Sequence, residues 1–145
     1  MDSEANYIDI NRHSWNNRTD AHMKSEFYDL EGFMNGRSSL NDIELNLLGD
    51  LNGKSILHLQ CHFGQDTLSW SRMGAKCTGI DLSDEGIKLA QNLNDELKLV
   101  VVLTENKIID KQLFKKSTKI ISKITFGYLW SSSKSFRRLP TISKI

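Results

Sequence analysis

Between Leu40 and Leu103 the spacing of apolar residues switches repeatedly between a helical and a strand-like period, and each switch marks an element. Leu40, Ile43, Leu47 and Leu48 recur at helical spacing, with Ser38, Ser39 or Asn41 as caps and Gly49 as the stop; such a helix should pack on a sheet. After the Asn52-Gly53 turn, Ser55 to Leu59 is a short, nearly continuous apolar run, as expected of a parallel strand covered on both faces. Gln65 to Met73 then reads as a helix stopped by Gly74, Lys76 to Asp81 as a second strand, and Asp84 to Leu97 as a helix capped by Ser83. Ile87, Ala90, Leu93 and Leu97 line one side of that last helix. Leu99 to Leu103 is a third β-branched run. Strand, helix, strand, helix, strand with short connections predicts an open, parallel α/β sheet built from βαβ units.

The flanks read differently. Residues 1–37 are polar with scattered aromatics, Tyr7, Trp15, Phe27, Tyr28 and Phe33, which predicts a helical or irregular lid. Beyond Thr104, residues 108–124 suit a helix and 124–130 a further strand, and the Ser-rich end reads as poorly ordered. Three regions are therefore expected: a lid over 1–37, a βαβαβ core over 38–104, and a divergent tail over 105–145.

Charge sharpens that last boundary. The 145 residues carry a formal net charge of +1. Up to Leu99, however, 16 acidic residues face 9 basic ones, and beyond it 2 face 10, so −7 gives way to +8. A basic tail can contact nucleic acid or an anionic membrane; a solvated surface, or a segment foreign to the fold, is the reading favoured here, so neither partner is expected. The two cysteines, Cys61 and Cys77, are too few for a disulfide framework. With no run of about 18 apolar residues and an opening Met1-Asp2-Ser3-Glu4, a cytoplasmic location is expected.

The chemistry concentrates in two segments, residues 56–68 and Gly79-Ile80-Asp81-Leu82-Ser83. In an α/β sheet the loop after the first strand lies at the carboxyl end, where ligands bind, and an acidic residue closing the second strand can accept hydrogen bonds from both ribose hydroxyls of an adenosine. Asp81 occupies that place. These segments resemble motif I and the following acidic motif of class I S-adenosylmethionine-dependent methyltransferases. His58 stands where that family usually has Asp or Glu, Gln60 and His62 where it has its first two glycines, and Gly64 matches. A bacterial subgroup of the family carries His-Leu-Gln-Cys-His-Phe-Gly followed by Asp-Thr-Leu-Ser-Trp, and residues 58–70 match it through Trp70. The resemblance continues upstream through Trp15, Phe27-Tyr28 and Glu31-Gly32-Phe33, and downstream to about Leu97.

It implies a Rossmann-like methyltransferase fold of which this chain is the N-terminal half, with an incomplete parallel sheet and a truncated or frameshifted end. It also implies S-adenosylmethionine as cofactor, bound by His58, Gln60, Cys61, His62, Gly64, Asp81 and Leu82, and a small-molecule methyl acceptor. No catalytic residue is assigned. A metal site among His58, Cys61 and His62 is not expected, because ligands need converging geometry. Trp15, His22, Phe27 and Tyr28 read as an acceptor-pocket lid or, the favoured reading, as aromatics covering the sheet. Two other readings stay open: a nicotinamide-dependent oxidoreductase, against which the missing glycines count, and a non-catalytic remnant whose exposed sheet edge invites self-association.

Overall fold

The computed structural model describes residues 3–105 and 119–122. Helix α1 (Ser3–Met23) and the short α2 (Leu30–Met34) precede α3 (Asp42–Leu48), and the sheet follows as β1 (Ser55–Leu59), α4 (Gln65–Arg72), β2 (Lys76–Asp81), α5 (Asp84–Glu96), β3 (Val102–Glu105) and β4 (Lys119–Ser122). The strand order is β3-β2-β1-β4, and every pairing is parallel. Going outward from β1, the chain runs to β2 and β3 on one side and then returns to β4 on the other. That reversal is the switch point of a doubly wound, Rossmann-like α/β sheet.

Ile56, Leu57 and His58 are all buried, so both faces of β1 are covered, as its apolar run requires. One cluster of buried residues joins Ile56, Trp70, Ala75 and Cys77 to Leu40 and Leu51. A second joins Phe33, Phe63, Leu68 and Leu93, and a third joins Cys61, Ile87, Ala90 and Leu103. Phe33, from the N-terminal region, is thus fully part of the core. Burying a Leu- or Phe-sized side chain contributes about 1.5–3 kcal/mol, so these clusters hold the sheet to its helices. Among the described residues no helix is long and apolar enough to cross a membrane.

Three expectations need correcting. The third strand starts at Val102, not Leu99, because α5 ends in a Schellman motif. Lys98 takes the left-handed conformation (φ 53°), Leu99 N–H bonds Asn94 O at 3.1 Å and Lys98 N–H bonds Asp95 O at 3.1 Å. Leu99 and Val101 are used to pack on the core before the strand begins. Helix α3 does not lay an apolar face on the sheet: it buries none of its residues, and Ile43 and Leu47 are exposed. Its start is set locally by a reciprocal Asn41–Glu44 capping box, and the core contacts are made by Leu40, just before it, and by its last residue Leu48, which is only partly buried.

The third correction concerns the basic end. Lys119–Ser122 is a strand paired with β1 from Ile56↔Lys119 to Leu59↔Ser122, inside the stretch expected to be helical. The β-branched pair Ile120-Ile121 is of a kind enriched in strands. The strand expected over 124–130, and the rest of the tail, lie outside the described residues.

Candidate functional site

The loop that leaves β1 at the switch point is Gln60 to Gly64. Three of its residues are left-handed: Gln60 (φ 61°), His62 (φ 53°) and Gly64 (φ 83°). These are the positions where the resembling motif carries its glycines, so the loop keeps a glycine-type backbone path with two side chains added. A left-handed non-glycine residue costs on the order of 1–2 kcal/mol, and specific bonds hold it there. Cys61 N–H bonds Ile80 O at 3.0 Å, Gly64 N–H bonds Cys61 O at 2.9 Å, and His62 N–H bonds Asp81 Oδ2 at 2.7 Å.

Glycine is required where backbones close up. A Cβ on Gly79 would lie 2.9 Å from Leu103 Cδ2 and 3.0 Å from Cys61 Sγ, so β2 admits the loop only because that side chain is missing. Gly64 does the same for the N-terminus of α4 against Ala90, where a Cβ would fall at 3.0 Å. Gly79, part of the segment singled out in the sequence, is therefore a packing position that lets the loop lie against β2.

Asp81 ends β2 facing this loop. Its Oδ2 accepts from His62 N–H, and its Oδ1 accepts from Ser83 N–H at 2.8 Å. The carboxylate is half-buried. A carboxylate has about four acceptor sites, and these two bonds use one at each oxygen. Leu82, next in the chain, is also half-buried at the rim.

The other expected site residues separate into exposed and enclosed. Gln60 is exposed on the loop. His58 is 2% exposed; its Nδ1 lies 2.8 Å from Thr67 Oγ1, and its ring meets Trp70 edge-on, so it sits in the core beneath α4 and not on the crevice surface. Cys61 is 4% exposed, and burial, followed by the nearby Asp81 charge, pushes its thiol pKa well up, which leaves it unreactive as a thiolate.

What covers the loop comes largely from the N-terminal aromatics, although spacing gave no sign that His22 meets His62. The His62 ring lies parallel to Tyr28 (2° between planes) at a centroid distance of 5.7 Å, with His22 at 5.1 Å and the edge of Trp15 at 5.9 Å. His22 Nδ1 and His62 Nε2 are 3.1 Å apart, a hydrogen bond between two imidazoles. Tyr28 O–H lies 3.4 Å from His22 Nδ1. Burial first, then the neighbouring His22, lowers the His62 pKa to about 4, with Asp66 opposing. Burial and Arg18 lower that of His22. Of the four aromatics read as a lid or, in the favoured reading, as covering the sheet, Trp15, His22 and Tyr28 join this cluster over the loop, whereas Phe27 is 78% exposed and meets Tyr28 in a T-shaped contact.

Polar bonds fix the lid in place. Asn16 of α1 donates from Nδ2 to Asp84 Oδ1 at 2.6 Å and accepts from Ser83 Oγ at 2.7 Å, which seats α1 on the start of α5. The first of these bonds is the main cause of a lowered Asp84 pKa. Gln65 Nε2 donates to Tyr28 O at 3.0 Å, tying the α1–α2 connection to α4. A separate, open cleft of about 410 Å³ lies between α5 and β3, lined by residues including Asp84, Lys88, Gln91 and Glu105. It lies beside the crevice rather than over the loop.

The arrangement thus brings the Gln60–Gly64 loop and the Asp81 carboxylate together at the carboxyl ends of a doubly wound sheet. No family model matches the chain, and no curated protein matches it. Solved structures do resemble it. One comes from work on the conversion of a disulfide bond into a thioacetal group during echinomycin biosynthesis; it is 29% identical over 45% of this chain and 28% of that one, with a TM-score of 0.40. Another is the T. thermophilus 16S rRNA methyltransferase RsmC in complex with AdoMet and guanosine, 20% identical over 63% of this chain and 27% of that one, with a TM-score of 0.47. A third is the magnesium protoporphyrin IX methyltransferase ChlM of Synechocystis PCC 6803 with bound SAH, 16% identical over 70% of this chain and 55% of that one, with a TM-score of 0.44. The chain therefore spans between 27% and 55% of the length of these three structures.

Proposed function

We propose that the chain is the S-adenosylmethionine-binding part of a methyltransferase acting on a small molecule. One observation carries the reading: the left-handed Gln60-His62-Gly64 path at the switch point faces the carboxylate of Asp81. A loop of this shape lets a ligand approach the backbone, and the carboxylate of Asp81 suits a ribose diol. The match of residues 58–70 to one methyltransferase subgroup supports the same reading.

When bound, the cofactor supplies a methyl group already activated by its sulfonium charge. The chain's residues then have to bind, orient and exclude water. Asp81 holds the ribose and the exposed face of the loop backbone lies along the ligand; Leu82 adds apolar contact at the rim. Trp15, His22 and Tyr28 close over the loop and keep water out. In this reading His58 and Cys61 shape the loop from beneath.

Calorimetric titration with S-adenosylhomocysteine tests the proposal. Because Asp81 also braces the loop, Asp81→Asn is the variant of choice: it keeps the side chain's size and removes the charge, at the loss of one of the two backbone N–H acceptors, so circular dichroism must show the variant folded. We expect saturable binding by the parent chain, weakened by about 10-fold or more in the variant, the scale of one charge-assisted bond pair. A folded chain that fails to bind S-adenosylhomocysteine, or binds NAD instead, would overturn it.

A further inference from the structure

We propose that His22 Nδ1, His62 Nε2 and the Tyr28 hydroxyl form a binding site for a late first-row divalent cation such as zinc, joining the lid to the loop after β1. The three donors come from two separate parts of the chain, and the two spacings measured from His22 Nδ1 fit donors that share one ion. The nitrogens are 3.1 Å apart, and the hydroxyl is 3.4 Å from the nearer one. Two donors each about 2.0–2.1 Å from a tetrahedral zinc ion stand roughly 3.3 Å from one another.

The surroundings suit an ion. Trp15 presents its edge to both imidazoles, and Phe63 meets His62 at a centroid distance of 4.4 Å, which gives the site an apolar wall. Burial lowers the pKa of both imidazoles, which favours the neutral ring that a metal ligand must be. In the metal-free state one ring donates its N–H to the other. Binding replaces that hydrogen bond: the donor ring moves its proton to its other nitrogen, and no net proton is released by the pair. The hydroxyl enters as a neutral donor and a water completes the set. Among the described residues no group of three or more His, Cys, Asp and Glu side chains gathers, so this mixed imidazole–phenol set is distinct from an acidic or thiolate metal site.

The test uses the tag-free, chelator-stripped chain, titrated with zinc sulfate by calorimetry and with cobalt chloride by visible absorption. We expect one ion per chain. Affinity should fall about 100-fold in His22→Ala and about 10-fold in Tyr28→Phe. The exposed His13 on the same helix is the control, and His13→Ala should bind as the parent does. Zinc should also raise the thermal midpoint of the parent chain but not that of His22→Ala, since the ion binds only the folded arrangement. His22 lies on the lid, so its loss leaves the core intact, as circular dichroism would verify. No saturable binding, equal affinity in His22→Ala, or loss in His13→Ala would overturn the proposal. The titration needs no methyl donor, so its outcome is independent of binding to S-adenosylhomocysteine.

Discussion

The sheet and the lid over it are held together by different physics. Around β1, three consecutive residues are buried and three apolar clusters interlock. Helix α1, by contrast, leaves Tyr7, Ile8 and Ile10 exposed and is seated through Asn16, Trp15 and His22. Apolar burial is non-directional and adds up over many contacts, whereas a few polar bonds can all be lost together. The two regions should therefore open separately, with the lid at the low-stability end.

The strongest way to break this comparison is to strike the core. Trp70→Ala empties a fully buried site against His58 and the Ile56 cluster, and should lower stability by about 3–5 kcal/mol. Denaturant melts followed by a probe of the sheet would show its transition moved to lower denaturant; a much smaller loss would mean the core is not the cooperative unit.

Acid should separate the two regions. His62 has a folded pKa of about 4, below the usual value near 6.5, so the state that exposes it binds the proton more readily. Stability from this group is complete above about pH 6.5 and is lost as pH falls towards 4, by at most about 3 kcal/mol. In metal-free buffer, hydrogen exchange corrected for intrinsic rates should show α1 amides losing protection between pH 7 and pH 5 while β1 amides keep theirs. Parallel loss in both would contradict a separable lid.

A smaller effect sharpens the comparison further. Asn16→Ala removes both bonds to the start of α5 and should favour lid opening by about 1–2 kcal/mol, with the β1 amides unchanged. The Asp84 pKa should rise towards its ordinary value, because its main cause is gone; a carboxylate chemical-shift titration reads this directly.

This division also explains what could be read in the sequence. β1 and β2 fall on the expected residues, and α4 and α5 nearly so, because apolar period and local caps define them. β3 was misplaced by the left-handed Lys98, an exit usually signalled by glycine. Asp81 and the loop were legible as motif positions. The imidazole pair was not, since His22 and His62 are 40 residues apart and meet only through the seating of α1. Nor could spacing show that His58 turns into the core to meet Thr67. Such contacts follow from tertiary packing and leave no period in the chain.

The bond from His62 N–H to Asp81 has a kinetic consequence. Because the carboxylate already clamps the loop in its left-handed path, the ligand proposed for it would find its docking surface assembled and would lose little free energy in ordering the chain there. Encounter is then governed by how often the lid swings clear, so the association rate should follow the opening frequency of α1 while the residence time reports the grip of the crevice itself.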